Sequence, residues 1–272
     1  MTGQTLSRVP VALTIAGSDS GGGAGIQADL KTFAFHCVHG TSAVTCVTAQ
    51  NTQGVTRVDA LPTAAVVAQI EAVVSDIGVQ ATKTGMLLNQ DIIEAVASEV
   101  KKLRLGNLVV DPVMVSRTGA QLIDDRAVAS LRDVLIPLAA IVTPNRYEAQ
   151  ILSGLDIHTQ EDMEKAAQRI HQLGADAVLV KGGAMTGDFR GTDVWFDGRE
   201  LCTLTTVQVD TSNTHGTGCT LSSAIAANLA LGKNPLSAVR LAKDYVTTAL
   251  KYALDIGAGC GPVGHFFPLL SS

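Results

Sequence analysis

The sequence predicts an α/β fold in which a mostly parallel sheet is covered by helices on both faces, a three-layer αβα arrangement without a separate lid domain. Strand-like and helix-like segments alternate along nearly the whole chain, which is typical of parallel sheets. Hydrophobic residues make up 46% of the 272 residues and charged residues 17%, so the chain can bury a sizeable core. Only 4% are aromatic, and the aliphatic residues that dominate suit buried parallel strands.

Hydrophobic spacing predicts the elements of the first half of the chain. Ile26, Leu30, Phe33 and Ala34 share one face of the first helix, and Thr63 is suited to cap the second. In chain order the predicted elements are strand 9–16, helix 24–35, strand 41–49, helix 63–76, strand 81–84, helix 91–103, strand 108–111 and helix 124–135.

The second half continues the alternation and closes with two helices. Pro144 stops a short strand, and Asp197-Gly198 is a strong hairpin signal between two others. The predicted elements are strand 140–143, helix 146–152, helix 160–173, strand 177–180, strands 193–196 and 201–209, and helices 217–231 and 235–255. We therefore expect one domain over residues 9–268 after a flexible N-terminal segment, residues 1–8.

Charge and cysteine content exclude several classes of protein. A net charge of −5 favours neither nucleic acid nor an anionic membrane as a partner, and no apolar run approaches the length of a membrane span. The apolar run 9–16 leads into a glycine loop without a signal-peptide cleavage pattern, so a buried strand is the better interpretation. Five widely spaced cysteines do not predict a disulfide framework, and we expect a cytoplasmic protein.

The first glycine loop, Gly17-Ser-Asp-Ser-Gly-Gly-Gly-Ala-Gly25, lies between a predicted strand and helix. It matches a dinucleotide-binding fingerprint only loosely, because no acidic residue follows between Asp29 and Asp59 to hold a ribose. The phosphate loop Gly-x4-Gly-Lys-Ser/Thr and the hydrolase motif Gly-x-Ser-x-Gly are both absent from the sequence. Two interpretations remain, a tight strand-to-helix turn and a loop that approaches a small substrate.

The second glycine loop, Thr214-His-Gly-Thr-Gly-Cys219, leads into a helix rich in Ala and Leu. Its glycines allow successive backbone N–H groups to converge at a helix N-terminus, where a transferring phosphoryl group could be held. Cys219 falls in the first turn, a position that predicts a lowered thiol pKa. A capped helix with a buried cysteine is the structural alternative.

Three charged residues lie at or shortly after the ends of predicted strands. Asp111 and Glu148 lie just past strand ends, where oxygen ligands could hold a hard cation, or each could cap a helix or face solvent. Lys181 ends an apolar strand, where a lysine must be paired or reach toward water.

Seven blocks in order make the chain similar to a known family. They are Gly17-Ser-Asp-x-x-Gly-Gly-Ala-Gly-Ile-Gln-Ala-Asp-Leu-Lys31, Ala49-Gln-Asn-Thr52, Lys83-x-Gly-Met-Leu87, Asp111-Pro-Val-Met114, Thr143-Pro-Asn145 with Glu148, Lys181-Gly-Gly183 and Asn213-Thr-His-Gly-Thr-Gly-Cys-Thr220. The chain resembles the hydroxymethylpyrimidine kinase/phosphomethylpyrimidine kinase family, the thiamine-pathway branch of the ribokinase-like superfamily. It departs from the family at 20–23, where Ser-Gly-Gly-Gly replaces the usual Pro-Ser-Gly-Gly.

The resemblance implies two transfers of phosphate from ATP, first to 4-amino-5-hydroxymethyl-2-methylpyrimidine and then to its monophosphate. It also implies a homodimer, Mg²⁺ and a monovalent cation. By similarity, the residues that contact the pyrimidine are Gln50, Asp29, Ala24, Met86 and Val113. Those that contact ATP are Asn145, Lys181, Thr214, His215 and Thr217, and those that organise the metal are Asp111 and Glu148. The catalytic residues are Cys219, Lys181, Gly216 and Gly218, the glycines belonging to the anion hole.

Several of these residues have purely structural alternatives, and two other functions compete. Met86 and Val113 could be core residues, and Gln50 could satisfy loop backbone. The rival functions are a pyridoxal kinase on the same scaffold and a non-catalytic pyrimidine-binding regulator. Many related sugar kinases carry Asp where Cys219 stands, and we hypothesise that a thiol avoids repelling the anionic second acceptor.

Overall fold

Nine strands and eight α-helices make up the regular structure of the residues that the computed structural model describes, 9–114 and 123–270. The predicted flexible segment, residues 1–8, lies outside the described residues. The first elements are β1 (Val11–Asp19), α1 (Gly25–Phe35), β2 (His39–Gln50), β3 (Val55–Ala60), α2 (Thr63–Asp76), β4 (Ala81–Thr84), α3 (Gln90–Lys102), β5 (Leu108–Val110) and α4 (Asp125–Ser130). The remaining ones are β6 (Ile141–Val142), α5 (Arg146–Ser153), α6 (Gln160–His171), β7 (Val178–Val180), β8 (Asp193–Phe196), β9 (Leu201–Leu204), α7 (Thr217–Ala230) and α8 (Pro235–Lys251).

All nine strands belong to one sheet with the order β3-β2-β1-β4-β5-β6-β7-β8-β9. The six strands from β2 to β7 in this order pair in parallel, whereas β3, β8 and β9 pair antiparallel with their neighbours. The predicted α/β fold with a mostly parallel sheet is therefore confirmed. Because parallel strands all end at the same edge, the segments after β1, β4, β5, β6 and β7 lie side by side.

The parallel strands are buried on both faces, as their aliphatic sequences predict. Leu13 and Ile15 of β1 pack in one hydrophobic cluster with residues such as Ile92 of α3. Ala12, which points to the opposite face, packs in a second cluster with residues such as Ile225 of α7. This alternation follows from the two-residue period of a strand, so neighbouring residues of β1 pack in different clusters.

The structure differs from the predicted elements mainly at their ends. Pro62, rather than Thr63, occupies the N-cap of α2, and the predicted strand 201–209 ends at Leu204. The predicted helix 124–135 is α-helical only to Ser130 and continues as a π-helix, Leu131–Leu135. The edge strand β3 was not predicted, because all six of its residues are exposed and it has no buried face to produce a pattern.

Within 9–114 and 123–270, no helix combines the length and the apolar character that crossing a bilayer would require.

Candidate active site

A buried ion pair lies at the edge where the parallel strands end. Asp111 follows β5 and is 3% exposed, and its Oδ1 accepts a hydrogen bond from Lys181 Nζ at 2.8 Å. Ser222 Oγ of α7 donates to the other carboxylate oxygen at 3.2 Å. Burial alone would raise the pKa of Asp111, but the Lys181 and Lys83 ammonium groups hold it below its usual value. Asp111 is therefore a carboxylate, and Lys181 has the partner that its sequence position required.

Glu148 and Asn145 stand beside this pair at the start of α5. They form a capping box, in which Asn145 Oδ1 accepts from the Glu148 N–H at 3.1 Å and Glu148 Oε2 accepts from the Asn145 N–H at 2.7 Å. Burial and the nearby Asp111 raise the pKa of Glu148 to about 8, although Lys181 opposes the shift. The cap predicted as an alternative for Glu148 is thus present, next to a second buried carboxylate.

Gly216 brings the second glycine loop against the first. It occupies the N-cap of α7 with φ +80°, a backbone conformation that disfavours side chains, and a Cβ there would lie 1.8 Å from the Gly23 carbonyl oxygen. A Cβ on Gly218 would lie 3.4 Å from Lys181 Nζ. The first turn of α7, whose leading N–H groups have no partner within the helix, therefore lies directly over the ion pair.

Gly216→Ala is expected to lower kcat/KM roughly 100-fold, because the methyl group must push the two loops apart and displace backbone donors. Steady-state kinetics with ATP, the co-substrate that the resemblance implies, as the varied substrate would measure the loss. Gly106→Ala is the control, since a Cβ at Gly106 meets no heavy atom within 4 Å. Unchanged kcat/KM in Gly216→Ala would show that the second glycine loop does not contribute to the active site.

Cys219 lies in the first turn of α7, but its predicted low thiol pKa is wrong. Burial raises the pKa of Cys219 to about 11, and the Asp29 and Asp111 carboxylates add to the shift, against the opposing effect of Lys83. The N–H of Gly25 donates to the thiol sulfur. The effect of the helix N-terminus is outweighed, so Cys219 is a neutral thiol at pH 7.

This protonation state predicts the pH profile of alkylation. Between pH 7 and 9 the rate at Cys219 should rise about tenfold per pH unit, because the reactive thiolate is a minor form below the pKa. Iodoacetamide labelling followed by peptide mass spectrometry measures each cysteine separately, with the exposed Cys37 as the internal reference. A rate at Cys219 that levels off below pH 9 would contradict the raised pKa.

A second ion pair lies deeper, between Lys83 of β4 and Asp29 of α1. Both side chains are 0% exposed, and Lys83 Nζ donates to both carboxylate oxygens, at 3.1 and 2.9 Å. Thr14 Oγ1 donates to Asp29 Oδ2 at 2.6 Å. Burial would lower the pKa of Lys83, yet Asp29 and the more distant Cys219 and Asp111 raise it. Asp29, which the resemblance assigned to the pyrimidine pocket, is thus enclosed and paired in this structure.

Asp19 connects the two glycine loops. Its carboxylate accepts the backbone N–H groups of Gly21, Gly23 and Ala24, and its Oδ2 lies 2.9 Å from His215 Nε2. Although burial opposes it, the hydrogen bonds from His215 and the backbone lower the pKa of Asp19. The His215 ring, assigned by resemblance to ATP, therefore packs against the first glycine loop.

Gln50 Nε2 approaches the same ring of His215, at 3.5 Å from its Nε2, and Gln50 Oε1 accepts from Thr48 Oγ1 at 3.1 Å. Ala24 is the N-cap residue of α1, beside Asp19. Met86 and Val113 are half-buried just after β4 and β5, where the resemblance placed a pocket wall. These residues line the same edge of the sheet as Asp111.

Thr214 and Thr217 stabilise the second loop locally. Thr217 Oγ1 donates to the Thr214 carbonyl at 2.7 Å, and the Thr214 N–H donates to Cys260 Sγ at 3.3 Å. The Thr217 hydroxyl and the Thr214 backbone therefore hold the loop in this structure.

Sequence reasoning missed several residues that position the site. Lys83 could have been found, because a lysine inside a fully buried strand requires a partner. Asp193 and Lys243 gave no comparable signal. Lys243 Nζ of α8 lies 2.6 Å from Asp193 Oδ2, and Asp193 Oδ1 accepts the Gly182 N–H at 2.8 Å, which anchors the segment after Lys181.

A surface groove adjoins that anchor. It has a volume of about 580 Å³ and is lined by Thr205, Thr206, Val207, Asp244, Thr247, Thr248 and Lys251. A smaller cavity of about 340 Å³ shares part of this lining and extends it to Lys243. The groove thus runs along α8 toward the residues that hold the Lys181 segment.

Neither carboxylate belongs to a metal site made of protein ligands alone. Across the described ranges, no group of three or more His, Cys, Asp or Glu side chains could hold a metal ion. Asp111 and Glu148 still fit Mg²⁺, which is commonly bound by one or two carboxylates with substrate phosphates and water. Both carboxyl groups are buried. Together they raise the pKa of the Lys181 ammonium above its usual value, although burial opposes the shift.

Comparison with known proteins identifies the family. The phosphomethylpyrimidine kinase family model matches residues 19–264. A hydroxymethylpyrimidine/phosphomethylpyrimidine kinase of Synechococcus elongatus is 62% identical over 261 residues, which cover 96% of this chain and 99% of the relative.

Two solved structures match the fold. A phosphomethylpyrimidine kinase from Clostridium difficile has a TM-score of 0.80 and 44% identity, covering 89% of this chain and 99% of its own. A pyridoxal kinase from Bacillus subtilis, solved with ADP, has a TM-score of 0.89 and 41% identity, covering 95% and 98%. Because the family model spans residues 19–264 and the relatives match along nearly the whole length, the chain belongs to the phosphomethylpyrimidine kinase family.

Proposed function

We propose that this protein transfers phosphate from ATP to 4-amino-5-hydroxymethyl-2-methylpyrimidine and then to the resulting monophosphate, in thiamine biosynthesis. The observation that carries the proposal is the Asp111–Lys181 pair beneath the first turn of α7, in a member of this kinase family. Phosphoryl transfer requires positioning and neutralisation of charge more than covalent chemistry, and buried donors over a fixed cation supply both.

The anion hole is formed by the second glycine loop. Gly216 and Gly218 let the loop backbone approach the transferring group, while Lys181 neutralises its developing charge. Four further residues, Asn145, Thr214, His215 and Thr217, are proposed to belong to the ATP site. Their side chains bond within the protein, so they would act through the backbone that they hold in place.

Mg²⁺ would be held by Asp111 and Glu148. The ion supplies charge neutralisation for the phosphate oxygens when it is bound. Glu148 is presented to the site by its capping box, and Asp111 is held by Lys181 and Ser222. A monovalent cation remains part of the proposal by family resemblance alone.

The nucleoside part of ATP is proposed to lie in the groove along α8. The groove is lined by four threonine hydroxyls, and the smaller cavity beside it is lined by Lys243. Lys243 bonds to Asp193, and Asp193 in turn accepts the N–H of Gly182, the residue after Lys181. A nucleotide placed there could extend its phosphates toward Lys181. The ADP bound by the related pyridoxal kinase supports ATP as the co-substrate.

The pyrimidine is proposed to lie on the opposite side of the ion pair. Gln50 would bind its edge, with Ala24, Met86 and Val113 around it. Asp29 contributes through Lys83, because its own carboxylate oxygens are already engaged.

Cys219 is proposed to serve both transfers without carrying a fixed charge. In the first transfer its thiolate form would accept the proton that the hydroxyl loses, and in the second the neutral thiol would face an acceptor that is already an anion and that a fixed carboxylate would repel. Cys219→Asp should therefore reduce the second phosphorylation at least about 10-fold more than the first, an added like charge being costly at a buried position. Assays with each acceptor separately measure the ratio, and equal retention of both activities would contradict the idea.

An ADP-release assay tests the proposed function directly. The pyrimidine, its monophosphate and pyridoxal are supplied in parallel, because a related structure of 41% identity is a pyridoxal kinase. Release with both pyrimidine substrates supports the proposal. Release with pyridoxal alone would replace it, and binding of the pyrimidine without any ADP release would favour a regulator.

The assembly and location of the protein are also proposed. A homodimer is suggested by the exposed apolar residues Val55 and Val58 on the edge strand β3, and sedimentation at several concentrations would test it. Five free cysteines favour the reducing cytoplasm. We further propose a single three-layer domain over residues 9–268 without a separate lid domain, acting on small molecules and without nucleic-acid or membrane partners.

A further inference from the structure

The hydroxyl of Ser20 binds both backbone groups of Gln50. Ser20 Oγ donates to the Gln50 carbonyl oxygen at 2.7 Å and accepts from the Gln50 N–H at 2.8 Å. A single side chain thus joins the first glycine loop to the end of β2, 30 residues away in sequence. Ser20 is also the first residue of the segment in which this chain departs from its family pattern.

Gln50 lies where the β2–β3 ladder is irregular. The pairing register shifts between Ala49 and Gln50, so the regular exchange of ladder hydrogen bonds is interrupted there. On the other side of β2, the ladder with β1 ends at the pair Asp19–Thr48, and Ser20, the next residue after β1, provides a donor and an acceptor to Gln50 in place of a strand partner. These two hydrogen bonds hold the Gln50 backbone, and with it the Cα from which the amide side chain extends.

The loop that carries Ser20 is itself held in place. The Asp19 carboxylate accepts the N–H groups of Gly21, Gly23 and Ala24, which ties the loop around one buried side chain. A Cβ on Gly21 would lie 3.3 Å from the Gln50 carbonyl oxygen, closer than most such contacts. The absence of a side chain at Gly21 therefore lets the hydroxyl of the preceding residue reach Gln50.

The Gln50 side chain is constrained less strongly than its backbone. Thr48 Oγ1 donates to Oε1 at 3.1 Å, and Nε2 is at the limit of hydrogen-bond distance, 3.5 Å, from His215 Nε2. Without the Ser20 hydroxyl, the N–H and carbonyl of Gln50 would bond to water instead. The backbone from which the Gln50 side chain extends would then no longer be held in one position. Asp111 and Lys181 are held by other residues, so their geometry would persist.

We propose that Ser20 is a positioning residue for pyrimidine recognition, acting through the backbone of Gln50. The inference rests on the proposed function, in which Gln50 binds the edge of the pyrimidine. It predicts that loss of the hydroxyl weakens binding of the pyrimidine while leaving phosphoryl transfer from bound ATP nearly intact.

The test compares variants at Ser20 in the full-length protein. Ser20→Ala should raise KM for the hydroxymethylpyrimidine about 3- to 10-fold, the effect of losing one or two hydrogen bonds, with kcat and KM for ATP changed less than about twofold. Ser20→Thr and Ser20→Val form a matched pair of similar shape, of which only Thr keeps the hydroxyl. KM should be restored by Thr and remain raised in Val. Ser75→Ala, an exposed serine of α2, is the control.

Each outcome supports or overturns the inference. An unchanged pyrimidine KM in Ser20→Ala, or equal KM values for the Thr and Val variants, would overturn it. So would a parallel change in KM for ATP, which would indicate general disruption of the site. If Ser20→Ala folds poorly, the Thr–Val comparison decides alone. If the wild-type protein releases no ADP with the pyrimidine, the proposed function itself is wrong. That result is distinguishable from a failure of the Ser20 inference, which concerns only the variants.

Discussion

Lys181→Met is expected to reduce kcat by about 10²- to 10³-fold, the loss typical when one preorganised charge-stabilising group is removed. Lys181 Nζ lies 2.8 Å from Asp111 and close to the first turn of α7, where the transferred phosphate is proposed to pass. Methionine preserves most of the length and apolar character of the side chain but cannot neutralise charge. The defect should therefore appear mainly in the chemical step.

Single-turnover kinetics with saturating ATP would measure that step, and calorimetry would measure nucleotide binding separately. Lys165→Met is a matched control, because Lys165 lies on α6 in an exposed pair with Glu161. A thermal melt must accompany both, since removal of Lys181 leaves the buried Asp111 with only uncharged direct partners. A fall in kcat of less than about tenfold in a folded variant would exclude Lys181 as the main phosphate cation.

Lys83→Met is expected to lower the free energy of unfolding by about 3–5 kcal/mol, the cost of leaving one member of a buried ion pair uncompensated. Both Lys83 and Asp29 are 0% exposed, so water cannot replace the lost partner. Thr14 would remain as a hydrogen-bond donor to Asp29, but a hydroxyl does not neutralise the carboxylate.

Equilibrium urea unfolding followed by circular dichroism would measure this loss. Arg57→Met tests the method, because Arg57 and Asp59 form an exposed pair whose removal should leave stability unchanged within error. In the double variant Asp29→Asn, Lys83→Met, the loss should be smaller than the sum of the two single losses. Additive losses would indicate that the two side chains do not stabilise each other.

Much of the fold follows from local sequence patterns. Helix α2 and strands β4 and β8 have the predicted bounds, because their apolar residues repeat with a clear period or are bounded by turn residues. The edge strand β3 escaped prediction, since its residues are all exposed and its pairing with β2 is decided by tertiary contact. The π-helical end of the segment after α4 likewise has no simple periodic signal.

Part of the candidate site could also be predicted from the sequence, and part required the structure. That Asp111 and Lys181 would meet follows from their positions after parallel strands, which end at one edge of the sheet. The second glycine loop follows β9, which pairs antiparallel with β8, so its approach to Lys181 was shown only by the tertiary structure. The thiol pKa of Cys219 did not follow, because it depends on burial and on carboxylates contributed by α1 and by the segment after β5. The roles of Ser20 and Asp19 also required knowledge of which loops touch.

By itself the sequence determined the fold class, the family and the edge of the sheet at which the chemistry is proposed, because periodicity and ordered motifs are local properties of the chain. Only the tertiary structure decided the pairs: Lys181 with Asp111 across 70 residues, Lys83 with Asp29 across 54, and His215 with Asp19 across 196. A buried charge indicates that a partner is needed, but the partner is chosen by the packing of distant segments.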